Sequence, residues 1–254
     1  MATDTVDIKK LLEVGAHFGH KSSRWHPKMA PYIHSKRNGS HIIDLTLTVE
    51  CLEKALDFLT KTASEGKKIL FVATKRQSKE SVKELAEATN MPYVSERWLG
   101  GTLTNWQTVG GRVKYLKDLE SRMASGQLAA KYNKLEVQRF QEEINHLNNL
   151  YGGIKELSGR PGAMMVFDMI NEANAVREAR KLGIPIVAIV DTNADPSLVE
   201  YPIPANDDAI KTIQLICDYT KKAVEQGLAR QKPAEKKPEK TAEKTTEKKP
   251  TGDK

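Results

Sequence analysis

Cysteine is scarce: Cys51 and Cys217 are the only two in 254 residues. They stand far apart, form no CxxC pair and sit among periodic apolar residues such as Ile210 and Ile213, which excludes a disulfide framework and a thiolate metal knot. Buried thiols in a reducing cytoplasm are expected. Aromatic residues amount to 6%. Long apolar runs are missing as well, because the best of them, near Ile184 to Val190, falls far short of the roughly 20 residues that cross a bilayer. With Asp4 and Asp7 where a leader would carry basic charge, neither secretion nor a membrane partner is expected. The sequence also lacks a GxxxxGK[ST] loop, a glycine-rich fingerprint after the first expected strand and a nucleophile elbow. No cofactor and no small-molecule substrate is expected on these grounds.

What is present begins with charge. Forty Lys and Arg against 33 Asp and Glu give a formal +7. More than half of that excess lies in residues 228–254, a Lys/Glu/Pro segment with nine basic and five acidic residues. That tail has nothing with which to build a core, so it is expected to be disordered. Upstream, Asp44 caps a helical pattern through Leu45, Val49, Leu52, Leu56 and Leu59, stopped at Gly66. Short apolar runs at Ile69–Ala73, Ala163–Phe167 and Ile186–Val190 read as buried strands. They alternate with helical patterns over Ser78–Ala88, Asn171–Leu182 and Asp207–Val224, the last with Asn206, Asp207 and Asp208 as caps and Gly227 near its end. Continuous apolar strands separated by helices require a parallel sheet covered on both faces, an α/β, Rossmann-like (flavodoxin-like) architecture. The alternation breaks at 106–151, where Val109, Val113, Leu116 and Met123, then a Ser125-Gly126 breaker, then Leu135, Phe140, Ile144 and Leu147 predict an inserted antiparallel helical hairpin of coiled-coil type; the alternative is that these helices lie flat on the sheet. The expected organisation is a basic, largely irregular segment at 1–43, an α/β domain at 44–105 and 152–227, the hairpin at 106–151 and the tail.

Three clusters carry chemistry. Between Glu13 and Asp44 no acidic residue occurs, while Lys21, Arg24, Lys28, Lys36, Arg37 and five of the six histidines do. With Trp25 and Tyr32 interleaved and Gly15, Gly19, Pro27, Pro31 and Gly39 breaking regular structure, the window reads as an irregular cationic surface bearing stacking groups, suited to phosphates and unpaired bases. A second cluster runs from Ser95 to Trp106, where Gly100 and Gly101 free the backbone and Arg97 and Trp98 offer charge and a ring; a turn with both Trp side chains buried competes with that reading. Lys75, Arg76 and Lys79 follow a strand beside a helix N-terminus, a place that favours phosphate. The third cluster is acidic. Asp168, Asp191, Asp195 and Asp207 follow strands and could gather Mg²⁺ for a phosphate-handling enzyme, although turns and helix caps account for such residues equally well. His17 and His20 lack a local third metal ligand, so no metal site is expected there.

The order Ala16-His17-Phe18-Gly19-His20, Arg24-Trp25-His26-Pro27-Lys28-Met29, Arg97-Trp98-Leu99-Gly100-Gly101-Thr102-Leu103-Thr104-Asn105, Asp191-Thr192-Asn193 with Asp195-Pro196, and Ile203-Pro204-Ala205-Asn206-Asp207-Asp208 resembles the bacterial ribosomal protein S2 family. The likeness runs from about Asp7 to Gln226 and departs at His26, where that pattern has Asn, and at Ala205, where it has Gly. It implies a non-enzymatic component of the small ribosomal subunit, bound to small-subunit ribosomal RNA between head and body and helping to dock neighbouring proteins, among them the messenger-binding protein S1. Carried over by position, the RNA-binding residues it implies are Lys21, Arg24, Trp25, Lys28, Lys36, Arg37, Lys75, Arg76, Arg97 and Asn105.

Overall fold

The Asp44 carboxylate accepts a hydrogen bond from Thr46 N at 2.9 Å and starts a 20-residue helix, as its spacing requires. The computed structural model describes residues 6–230. In chain order its elements are helix α1 (Ile8–Glu13), strands β1 (Phe18–Lys21), β2 (Ile33–Arg37) and β3 (Ser40–Ile43), helix α2 (Leu45–Ser64), strand β4 (Ile69–Val72), helix α3 (Lys79–Thr89), strand β5 (Tyr93–Val94), helices α4 (Trp106–Ala124), α5 (Gln127–Lys131) and α6 (Lys134–Tyr151), strand β6 (Ala163–Val166), helix α7 (Ala173–Lys181), strands β7 (Ile186–Val190) and β8 (Tyr201–Pro204), and helix α8 (Ile210–Ala229).

Strands β5-β4-β6-β7-β8 form a wholly parallel sheet in that order, the flavodoxin-like arrangement, with each strand's side chains alternating between two cores. Ile69, Phe71, Met165, Val187 and Ile189 face α2, α3 and α8. Leu70, Val72, Met164, Val166, Ile186 and Ala188 face α7, the root of α4 and the loop before it. Strand β8 holds Pro202 and Pro204, residues that by themselves favour a stiff loop. At the sheet's edge a missing N–H costs no ladder bond, so the strand survives.

Two expectations about the last helix change. Asn206 Oδ1 accepts from Asp208 N and Ala209 N, so the turn precedes the helix, which begins at Ile210 and is not capped by Asp207 or Asp208. Gly227 lies inside α8, where a Cβ would come within 2.5 Å of Thr60 O; it allows close approach to α2 instead of ending the helix. The helix runs on to Ala229, and Leu228 packs against the core, so the expected tail starts later; its remainder lies outside the described residues.

The hairpin is two-part. Val109 and Val113 pack into the sheet's core, whereas Leu116, Leu119, Leu128, Ile144 and Leu147 form a core of their own between α4, α5 and α6. Asn133 and Glu136 make a reciprocal capping box that starts the returning helix. Among the described residues no helix is long and apolar enough to cross a membrane.

Candidate nucleic-acid interface

The acid-free window was expected to be largely irregular. It folds instead into an antiparallel sheet, β1-β3-β2, because Asn38 (φ 51°) and Gly39 (φ 81°) close a tight two-residue hairpin turn between β2 and β3. The small sheet is bolted to the carboxyl end of the parallel one. His20 N donates to Thr192 Oγ1 at 2.9 Å and His26 N to Thr192 O at 2.7 Å, while Gly19 passes so close that a Cβ would meet Thr192 Cγ2 at 2.5 Å. Met29 and Ile43 are fully buried beneath it. His26, where the family pattern has Asn, accepts from Lys28 N through Nδ1 at 3.3 Å and so caps a 3-10 turn as an Asn side chain would.

Pairing register decides which cations share a face. Lys21 and Arg37 are both opposite Ser40, so the three form one cross-strand row whose side chains point the same way. Lys21, Arg24, Lys36 and Arg37 are all exposed, and none has an ion-pair partner among the described residues. Trp25 is 38% exposed, its ring 5.1 Å from that of His41. Phe18 is exposed as well, beside His17.

Two of the residues expected to contact RNA make ion pairs within the chain, Lys28 at an exposed position and Lys75 at a largely buried one. Lys28 Nζ sits 2.7 Å from Asp195 Oδ2 and donates to Ser197 Oγ at 2.7 Å. Lys75, with only 14% of its side chain exposed, reaches Asp207 at 2.8 Å, Asp208 at 2.7 Å and Asp168 at 3.2 Å. It follows β4, and the topology brings the ends of β6 and β8 around it, an environment that sequence cannot distinguish from an open helix N-terminus. Arg76, the next residue, is exposed.

Of the four carboxylates, Asp168, Asp191 and Asp207 converge, while Asp195 does not, being held by Lys28 and capping a 3-10 turn. Burial, with the Asp191 and Asp168 charges beside it, pushes the Asp207 carboxyl up to about 7 despite Lys75. The Asp191 carboxylate, 3.1 Å from His20 Nδ1, raises the His20 pKa against the opposing effect of burial. One His20 nitrogen and single oxygens of Asp191 and Asp207 lie within 4.8 Å of one another, a donor set with room for a divalent cation. His17 takes no part in this set; both partners of His20 come from more than 170 residues away, which local spacing could not reveal.

The 95–106 segment is pinned from a direction the sequence did not indicate. Glu178 on α7 accepts from Trp98 Nε1 (3.0 Å), Gly101 N (2.7 Å), Leu103 N (3.0 Å), Thr104 N (3.0 Å) and Thr104 Oγ1 (3.0 Å). Trp98 is therefore buried at 8% exposure and offers no stacking face. Arg97 and Asn105 stay exposed on the loop so formed.

A flavodoxin-like sheet whose carboxyl edge is covered by a basic antiparallel sheet, with its buried acids matched to an internal lysine and histidine, defines an α/β scaffold protein that turns its cations outward. Comparison with known proteins makes the class specific. A family model described as ribosomal protein S2 matches residues 11–227. The small ribosomal subunit protein uS2 of Roseiflexus sp. (strain RS-1) is 48% identical over 226 residues, 89% of this chain and 86% of the relative. That of Bifidobacterium longum (strain DJO10A) is 48% identical over 231 residues, covering 91% and 82%. The chain belongs to the ribosomal protein S2 family and is a structural ribosomal constituent, not an enzyme. The Mg²⁺-dependent enzyme reading of the acidic cluster is thereby set aside.

Proposed function

We propose that the chain is a cytoplasmic component of the small ribosomal subunit that binds small-subunit ribosomal RNA through the small basic sheet. The observation that carries this is the set of exposed, unpaired cations on the small sheet: Lys21 and Arg37 in one cross-strand row, Arg24 in the turn after β1, and Lys36 opposite His41, whose ring Trp25 neighbours. Exposed cations release counterions when they meet phosphate, and a half-open indole stacks on an unpaired base. Arg76, Arg97 and Asn105 add RNA contacts outside that sheet, while Lys28 and Lys75 serve it by fixing the sheet's support. The helical hairpin, with a core of its own, is the arm that meets neighbouring proteins, among which the family resemblance implies S1.

The test replaces Lys21, Arg24, Lys36 and Arg37 by Gln in the full chain and titrates small-subunit ribosomal RNA at several salt concentrations. Four lost phosphate contacts would reduce the slope of log affinity against log salt by roughly 3 units. An unchanged slope would refute the reading.

A further inference from the structure

The two helical layers of the parallel sheet differ in charge. Helices α2, α3 and α8, which share one core, carry eight acidic and seven basic residues, mixed along their length. Helix α7, against the other core, carries Arg177, Glu178, Arg180 and Lys181. Its inward stripe is Ala175, Val176 and Ala179. Its outward stripe, at helical spacing, is Asn174, Arg177, Arg180 and Lys181.

What makes that stripe purely cationic is the fate of Glu178. Its carboxylate would ordinarily offset the neighbouring arginines, but all of the bonds described above turn it toward the 97–105 loop. Arg177, Arg180 and Lys181 have no ion-pair partner among the described residues; Arg177 merely donates to Asn174 Oδ1 at 3.2 Å. The same carboxylate ties α7 to the loop that carries exposed Arg97 and Asn105, so helix and loop form one continuous surface. The last-turn position of Arg180 and Lys181 suits the helix dipole, yet that leaves their charges unneutralised and open to solvent.

We propose that the outward stripe of α7, with Arg97 beside it, is a second RNA-binding face, separate from the small basic sheet and gripping the phosphate backbone of small-subunit ribosomal RNA. It rests on the RNA-binding reading given above. Charge complementarity selects the occupant: the stripe has no apolar anchor for a protein hot spot, and three unpaired cations on one exposed helix face suit a polyanion. Sequence specificity is not expected of it, since phosphate contacts position without reading bases.

The experiment compares four full-length variants, together with the small-sheet variant above, with the parent in salt-dependent binding to small-subunit ribosomal RNA. Arg177→Gln/Arg180→Gln/Lys181→Gln should lower the salt slope by roughly 2 to 3 units, and Arg177→Gln alone, which leaves the last helical turn intact, by just under about one. The charge-retaining Arg177→Lys/Arg180→Lys should keep the parent slope. A control on the opposite layer, Lys54→Gln/Lys61→Gln/Lys211→Gln, should leave it unchanged. If the α7 variants keep the parent slope while the small-sheet variant lowers it, this face is refuted and the first reading stands. If neither α7 nor small-sheet variants lower it, both fall. A control slope that drops as far as the α7 slope also overturns the proposal, because net charge alone would then account for the effect.

Discussion

Removing the Glu178 carboxylate should detach the 97–105 loop from α7, and the cost can be worked from its hydrogen bonds. Of the groups that donate to it, Thr104 N and Oγ1 are exposed and can turn to water at little cost. Trp98 Nε1, Gly101 N and Leu103 N are partly buried. A donor left unsatisfied in such a place costs about 1 kcal/mol or more, so Glu178→Ala should destabilise the protein by about 3 kcal/mol, and Glu178→Gln, which keeps one acceptor oxygen, by about 2 kcal/mol. Urea unfolding at neutral pH should show a lower midpoint with an unchanged slope. Burial alone would raise the Glu178 pKa, but hydrogen bonds from Thr104 N, Trp98, Gly101 N and Leu103 N carry it below the ordinary range. A depressed carboxylate contributes fully above its unfolded pKa and loses that contribution as pH falls through the folded value, so the gap between parent and Glu178→Gln should narrow in acid. A neutral-pH cost of the Ala variant below about 1 kcal/mol, less than the price of a single orphaned donor, or a gap that does not change with acid, would refute the reasoning.

Two further outcomes concern the seam between the small sheet and the parallel one. Gly19→Ala should destabilise by about 1–3 kcal/mol in the same unfolding assay, because the added methyl has no room beside Thr192 Cγ2 at 2.5 Å and Oγ1 at 2.9 Å. His20 should titrate above its ordinary value of 6.5 when followed by imidazole NMR, and Asp191→Asn should bring it down. With the sign worked out, the His20–Asp191 contribution is complete below the unfolded histidine pKa and disappears as pH rises through the raised one; a His20 titration indifferent to Asp191→Asn would contradict the geometry.

Local patterns were read with little loss. Asp44 capping α2, the all-apolar runs of β4, β6 and β7 and the three-and-four spacing of α4 and α6 each depend on neighbours within a turn or a strand, and the structure places those elements within a residue or three of their expected limits. Strand β8 was missed because prolines signal a loop unless the strand lies at an edge, and β5 because two residues are too few for a period. The 1–43 window looked irregular since its glycines and prolines, which fit tight turns between short strands, give the same signal as a disordered loop.

The sequence by itself determined the class of fold, the inserted hairpin and the segregation of cations into an acid-free window, because apolar periodicity and charge are properties of neighbouring residues. Only the tertiary structure decided which cations remain available: Lys21 and Lys75 look alike in a string of letters, but one faces solvent and the other is enclosed by three carboxylates. The same holds for Glu178, whose partners lie more than 70 residues away. Burial and pairing are set by which strand ends the topology brings together, and that information is not local.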